Sequence, residues 1–155
     1  MSAMSDYAAL GLFLVLTASA AATGSYFPPG PWYSALNKPA WTPPGWVFPV
    51  VWTTLYVLIA IAGWKAWQAQ GAGLLVAVWT AQLVLNAMWS WIMFGQKQIG
   101  TALADIGGMW LLIAVFIILA WTAAPTAALL FIPYLAWVTL AFTLNLRIWQ
   151  MNPSV

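Results

Sequence analysis

Cysteine and histidine are missing from this 155-residue chain, and charge nearly is: four Lys/Arg and two Asp/Glu make up 4% of it. Each shortage closes a class of function. Without cysteine there is no disulfide, no thiolate nucleophile and no redox clue to compartment. Without histidine, the commonest metal ligand and general base is gone. Zinc sites, triads and two-carboxylate catalysis are thereby excluded, and no metal site is expected. Lys38, Lys65, Lys97 and Arg147 are too sparse and scattered for a nucleic-acid surface, which needs a clustered basic face. An ordinary soluble domain carries about a quarter charged residues. This chain cannot build a water-facing surface, so its solvent is a bilayer.

What is abundant is apolar mass, 65% of residues, and tryptophan, thirteen in all. Five apolar stretches run over 7–26, 47–67, 74–94, 99–121 and 127–149. Each is close to the ~20 residues that cross ~30 Å of hydrocarbon. No stretch alternates as a β-barrel strand would. The fold class is therefore an all-α integral membrane protein, one domain over 1–155, in which short connectors make successive helices antiparallel neighbours. The first stretch imitates a secretory leader, with Ala20-Ala21-Ala22 as a mock cleavage site, but residues 1–6 carry no Lys or Arg. It reads as a retained transmembrane helix.

The connector at 27–46, FPPGPWYSALNKPAWTPPGW, is unlike the others, holding six of the ten prolines and three tryptophans. Prolines fix φ and remove donors, so it reads as a stiff, irregular lid. Lys38, Lys97 and Arg147 fall on the lid face, against Lys65 beside Asp6 on the other. The positive-inside rule places the lid and C-terminus in the cytoplasm and the N-terminus outside.

Sorting the aromatics by depth separates two populations. Trp46, Trp64, Trp67, Trp121, Trp149, Tyr7 and Tyr26 sit at span ends as interfacial anchors. Trp52, Trp79, Trp89, Trp91, Trp110 and Trp137 lie within spans, and Trp79 and Trp110 read as lipid contact or filler between helices. Counting about 1.5 Å per residue from the lid side, Trp52, Asn86, Trp89, Ser90, Asp105, Ala141 and Asn145 all lie roughly 6–12 Å deep, with Gln82 and Trp137 near 18 Å. Gln82, Asn86, Ser90 and Met93 share one helical face; Trp137, Ala141 and Asn145 share another, and Trp52 and Tyr56 a third. Amides in hydrocarbon need partners, so these faces turn inward. Two outcomes stay open: an interhelical hydrogen-bond clamp, or an indole-lined cavity with polar anchors. Asp105, the one carboxyl side chain within a span, reads as hydrated or paired near Lys97, with a functional role as the alternative. Small residues recur every fourth position as Gly73, Ala77 and Ala81 on the third span and Gly100, Ala104 and Gly108 on the fourth. One row packs inside the bundle and the other suits a second copy; the dimer interface is assigned to Gly73, Ala77 and Ala81.

Three stretches carry a resemblance over nearly the whole chain: WYSALNKPAWTPPGWVFPVVWTTLY at 32–56, QLVLNAMWSWIMF at 82–94 and PYLAWVTLAFTLNLRIWQMNP at 133–153. The sequence resembles the TspO/translocator protein family, also known as tryptophan-rich sensory proteins or peripheral benzodiazepine receptors. The resemblance implies a five-helix bundle, often a homodimer, that binds porphyrin and haem-like tetrapyrroles, with synthetic isoquinoline and benzodiazepine ligands in the same pocket under the first loop. It places Trp52 and Trp137 on either side of the ligand, Tyr33 and Pro43 in the lid contacts, and Tyr56 one turn below Trp52. Asn86, Trp89 and Ser90 match the third-helix wall, and Ala141 the small residue that leaves room; Asn145 joins them from its stripe. The family's sterol motif is imperfect, with Val138 and Arg147 in place but Phe142 where tyrosine is expected, so sterol is not assigned. No cofactor is obligatory. A bound haem iron would lack His or Cys and find only Tyr or Met, which makes metal-free porphyrin stacked on indoles the simpler chemistry. The leading function is a tetrapyrrole receptor or sensor, with enzyme activity left open. A transporter is one alternative, although no inverted repeat or broken-helix pair is visible. Light-driven porphyrin degradation, with Trp52 in the catalytic role, is the other.

Overall fold

The computed structural model describes residues 3–155, with side chains from Ser5 onward. Its helices are α1 (Ala3–Tyr26), α2 (Pro31–Ala35), α3 (Val47–Gln70), α4 (Leu74–Ser90), α5 (Ile99–Ala123) and α6 (Pro125–Met151). A π-helical turn, Trp91–Gly95, continues α4. Five of these segments are long and apolar enough to cross a membrane. The chain is a five-helix membrane bundle.

The helices form a ring in the order α1, α3, α6, α5, α4. Consecutive helices are ring neighbours except α3 and α4, which meet only across the middle. Sequence order had suggested direct neighbours there. Their contact is made at a close approach at Gly63 of α3. A Cβ at that position would lie 2.5 Å from the Trp79 ring of α4 and 2.7 Å from the Phe13 ring of α1. Glycine alone lets the indole into this junction, where the Trp79 N–H donates to the Ile59 carbonyl at 2.8 Å. Trp79 is fully buried, so it is filler between helices and not a lipid contact.

The two small-residue rows also part company. Gly100 faces the Trp149 indole on α6 and Gly108 faces Leu85 on α4, with 3.1 Å and 3.2 Å left for an added Cβ. Gly100 and Gly108 of the α5 row therefore pack against neighbouring helices, while Gly100 and Ala104 keep an exposed side. Ala77 and Ala81 of α4 lie exposed on its outer face.

The lid is less irregular than its prolines suggested. Pro31 opens a short helix at the position where a missing N–H costs nothing. Lys38 then closes it, its ammonium donating to the carbonyls of Tyr33, Leu36 and Ser34 at 2.7, 3.0 and 3.3 Å. Leu36 is buried with Ile92, Met93, Ile99, Leu144 and Ile148. The Tyr33 ring stands edge-on to Phe94 at 5.3 Å. At the far edge Asn37 and Asn152 clasp: the Asn37 N–H donates to Asn152 Oδ1 at 3.0 Å, and Asn152 Nδ2 donates to the Asn37 carbonyl at 2.9 Å. The lid is thus seated on the ends of α4, α5 and α6.

Candidate functional site

Beneath the lid, one hydrogen-bond chain joins three helices. The Tyr56 hydroxyl of α3 donates to Asn86 Oδ1 of α4 at 2.9 Å. Asn86 Nδ2 donates to the Tyr134 hydroxyl of α6 at 2.7 Å. That hydroxyl donates to Gln82 Oε1 at 2.7 Å, and Gln82 Nε2 donates to the Trp79 carbonyl at 2.8 Å. Every donor points the same way, which leaves both amides satisfied in a medium without water. Nearer the lid, the Trp89 indole N–H donates to Asn145 Oδ1 at 3.0 Å, while Asn145 Nδ2 donates to the Ile99 carbonyl at 3.2 Å. Asn86, Trp89 and Asn145 therefore act as clamps that hold α3, α4, α5 and α6 in register. Neutral pairs of this kind contribute about 0.5–1.5 kcal/mol each, and leaving one buried partner bare costs more.

Tyr134 had not been singled out from the sequence, although it is the hinge of this chain. Its spacing of seven from Ala141 and eleven from Asn145 places it on their face, which is the signal that could have found it. Asn37 and Asn152 carried no signal of that kind, because a lone polar residue at a helix end is unremarkable.

The aromatic residues are arranged differently. Trp52 stacks on Tyr56, with centroids 5.4 Å apart and planes inclined by 30°, and meets Tyr134 edge-on at 6.2 Å. Trp137 meets Phe48 at 5.6 Å. Both indoles are half-buried, and Ala141 beside them likewise. Trp137 also walls a cleft of ≈ 490 Å³ that opens sideways between α3 and α6, with Val51, Leu55, Pro133 and Ala136 on its other sides. Pro133 lies inside α6, where it removes a backbone donor one turn before Trp137. Four other indoles are pinned: Trp64 to the Asp6 carbonyl, Trp79 to Ile59, Trp89 to Asn145 and Trp110 to the Thr139 hydroxyl. The buried Trp137 N–H has no partner.

The remaining predicted residues are spread around this centre. Ser90 is half-buried on the α1 side, its hydroxyl 3.8 Å from where a Cβ on Gly24 would stand. Tyr33 and Pro43 are half-buried in the lid, and burial raises the Tyr33 phenol above its ordinary pKa, keeping it neutral. Asp105 is 9% exposed and its Oδ2 is buried with no hydrogen-bond partner, so the expected pairing near Lys97 does not satisfy that oxygen.

The chain is 40% identical over 147 residues to the tryptophan-rich sensory protein of Cereibacter sphaeroides, covering 95% of this chain and 93% of that one. It is 38% identical to protein CrtK of Rhodobacter capsulatus, covering 92% of each. The human translocator protein is 39% identical over 130 residues, 78% of this chain and 75% of its own. The TspO/MBR family matches residues 9–150, and with relatives this similar over most of its length the chain belongs to that family.

Proposed function

We propose that the protein is a membrane receptor for tetrapyrroles, porphyrin or haem-like, held against Trp52 and Trp137 below the lid. The family's sensory and translocator members support a sensing or receptor role. The observation that carries the finer reading is the Trp137 N–H. Buried donors are almost always satisfied, and this one is bare beside a half-buried indole face and a cleft. A flat apolar ligand with a hydrogen-bond acceptor supplies what is missing. The same recognition suits isoquinoline and benzodiazepine compounds, which pair aromatic surface with a carbonyl or ring nitrogen.

Stacking, not iron ligation, is the mode this chain supports. The Tyr56 and Tyr134 hydroxyls are both engaged in the clamp, and Met109 Sδ lies 3.5 Å from the Tyr134 hydroxyl. Metal-free protoporphyrin should therefore bind at least as tightly as haem. Spectral titration of the purified protein with both compounds tests the reading, and failure of both to shift their Soret bands would end it. A second copy docks on the exposed Ala77 and Ala81 row below Gly73, forming a homodimer; Ala77→Leu should give monomers by light scattering. The lid and C-terminus face the cytoplasm and the N-terminus lies outside, following Lys38, Lys97 and Arg147.

A further inference from the structure

Among the described residues, three buried side-chain polar atoms lack partners: Thr17 Oγ1, Trp137 Nε1 and Asp105 Oδ2. Thr17 has a remedy on its own helix, because a threonine hydroxyl can turn to the carbonyl four residues back. Thr53, Thr54, Thr80, Thr139 and Thr143 all do so. Trp137 belongs to the site already described. Asp105 has no such remedy and no place in the clamp.

Its surroundings define what it can take. Asp105 lies on the buried face of α5 with Ala102, Ile106 and Met109. Met109, one turn further in, touches the Tyr134 hydroxyl, and Tyr134 is within electrostatic reach of Asp105. Ala102, one turn outward, belongs to the cluster under Leu36 of the lid. Asp105 thus stands between the lid cluster and the clamp. No neighbouring amide is free to turn toward it: Gln82, Asn86 and Asn145 each use both ends elsewhere. The cations do not serve either. Lys38 is spent on lid carbonyls, Arg147 donates to Gln150, Lys65 lies over Trp64 at the opposite end, and Lys97 is exposed in the α4–α5 turn.

A carboxyl group at membrane depth is costly unless a donor or a cation faces it. Here neither faces Oδ2, and its buried neighbours on α5, Ala102, Ile106 and Met109, are apolar. We infer that Asp105 is a ligand-anchoring residue that takes the cationic nitrogen of a lipophilic amine whose apolar body lies among the interior aromatics. Porphyrin propionates would be repelled by the same group, so Asp105 favours cationic over anionic ligands. The inference rests on the interior being the ligand site.

The test uses a matched pair of probes, 1-naphthylmethylamine, cationic at neutral pH, and neutral 1-naphthylmethanol. Equilibrium dialysis is run on the full chain in an uncharged maltoside detergent, with empty micelles as the baseline. Wild type should bind the amine about tenfold more tightly than the alcohol. Asp105→Asn, which keeps shape and removes charge, should bind both alike, and Asp105→Glu should restore the preference. Equal binding of the two probes by wild type, which needs no variant to fold, would overturn the inference. So would a preference that survives in a folded Asp105→Asn protein. Protoporphyrin titration of the same samples separates the two ideas. Porphyrin binding without an amine preference sinks only the role of Asp105, whereas an amine preference without porphyrin binding sinks only the tetrapyrrole reading.

Discussion

Trp79 and Trp137 are the same residue in the same kind of helix, and the structure uses them in opposite ways. Trp79 fills a three-helix junction with its ring against Gly63 and Phe13 and its N–H on the Ile59 carbonyl. Trp137 sits half-buried on a cleft with its N–H bare. Hydrophobicity does not distinguish them. Their neighbours do: a glycine opposite Trp79 admits the whole indole, and a carbonyl within reach ends its capacity to recognise anything else. The indole with nothing left to offer is structural, and the one with an unspent donor is available to a ligand.

The largest effect that sharpens this contrast is at the junction. Trp79→Ala removes a fully buried ring and should destabilise the bundle by about 3–5 kcal/mol, read as a large fall in thermal midpoint in detergent. Gly63→Ala attacks the same place from the other side. Its Cβ would stand 2.5 Å from ring carbon, and overpacking of that kind costs about 1–3 kcal/mol. If both variants melt like wild type, the junction is not the keystone of the ring, and the contrast with Trp137 loses its basis. Trp79 is consequently unusable as a neutral control for ligand binding; Trp121, exposed at the far membrane edge, is suitable.

Next comes the clamp. Tyr134→Phe leaves Asn86 Nδ2 and Gln82 Oε1 without their partner, at about 1–3 kcal/mol for buried groups left unsatisfied. A midpoint unchanged in Tyr134→Phe would mean that water or a rotated amide fills the gap. Asn152→Ala is milder, because the clasp it forms with Asn37 lies at the protein's edge. It should leave the five spans intact yet speed amide hydrogen exchange through 32–42, as the lid detaches on one side. Exchange identical to wild type would show that Leu36 and Tyr33 hold the lid without the clasp.

How much of this could be read from the chain alone follows from the physics of each part. Five apolar runs of bilayer length announce themselves, because hydrocarbon tolerates nothing else. The inward face of α4 was equally plain, since Gln82 and Asn86 are intolerable elsewhere. Partner choice was not legible. Whether an inward Asn86 meets a ligand or Tyr134 depends on helix rotation and ring order, which no periodicity carries. Trp79 stayed open between lipid contact and filler for the same reason: its depth and face are visible in the sequence, but the hole made by Gly63 lies sixteen positions away on another helix. The lid helix escaped notice because six prolines together read as an irregular segment, though a proline such as Pro31 suits the first turn of a helix.

The smallest effect on stability is the one that tests the contrast most directly. Trp137→Phe keeps an aromatic ring against Phe48 and removes an N–H that bonds to nothing, so stability should change by less than about 0.5 kcal/mol. Ligand affinity should respond separately. If the bare donor is the anchor, losing one neutral hydrogen bond weakens protoporphyrin or isoquinoline binding by about 0.5–1.5 kcal/mol, roughly two- to tenfold. Trp52→Phe should bind nearly as wild type, since a phenyl ring still stacks, and Trp52→Leu should lose about the 0.5–1.5 kcal/mol of an aromatic pair. The decisive outcome is a Trp137→Phe protein that melts like wild type and binds several-fold more weakly. One that melts early with affinity unchanged would make Trp137 a second Trp79, and the distinction between spent and unspent indoles would not survive it.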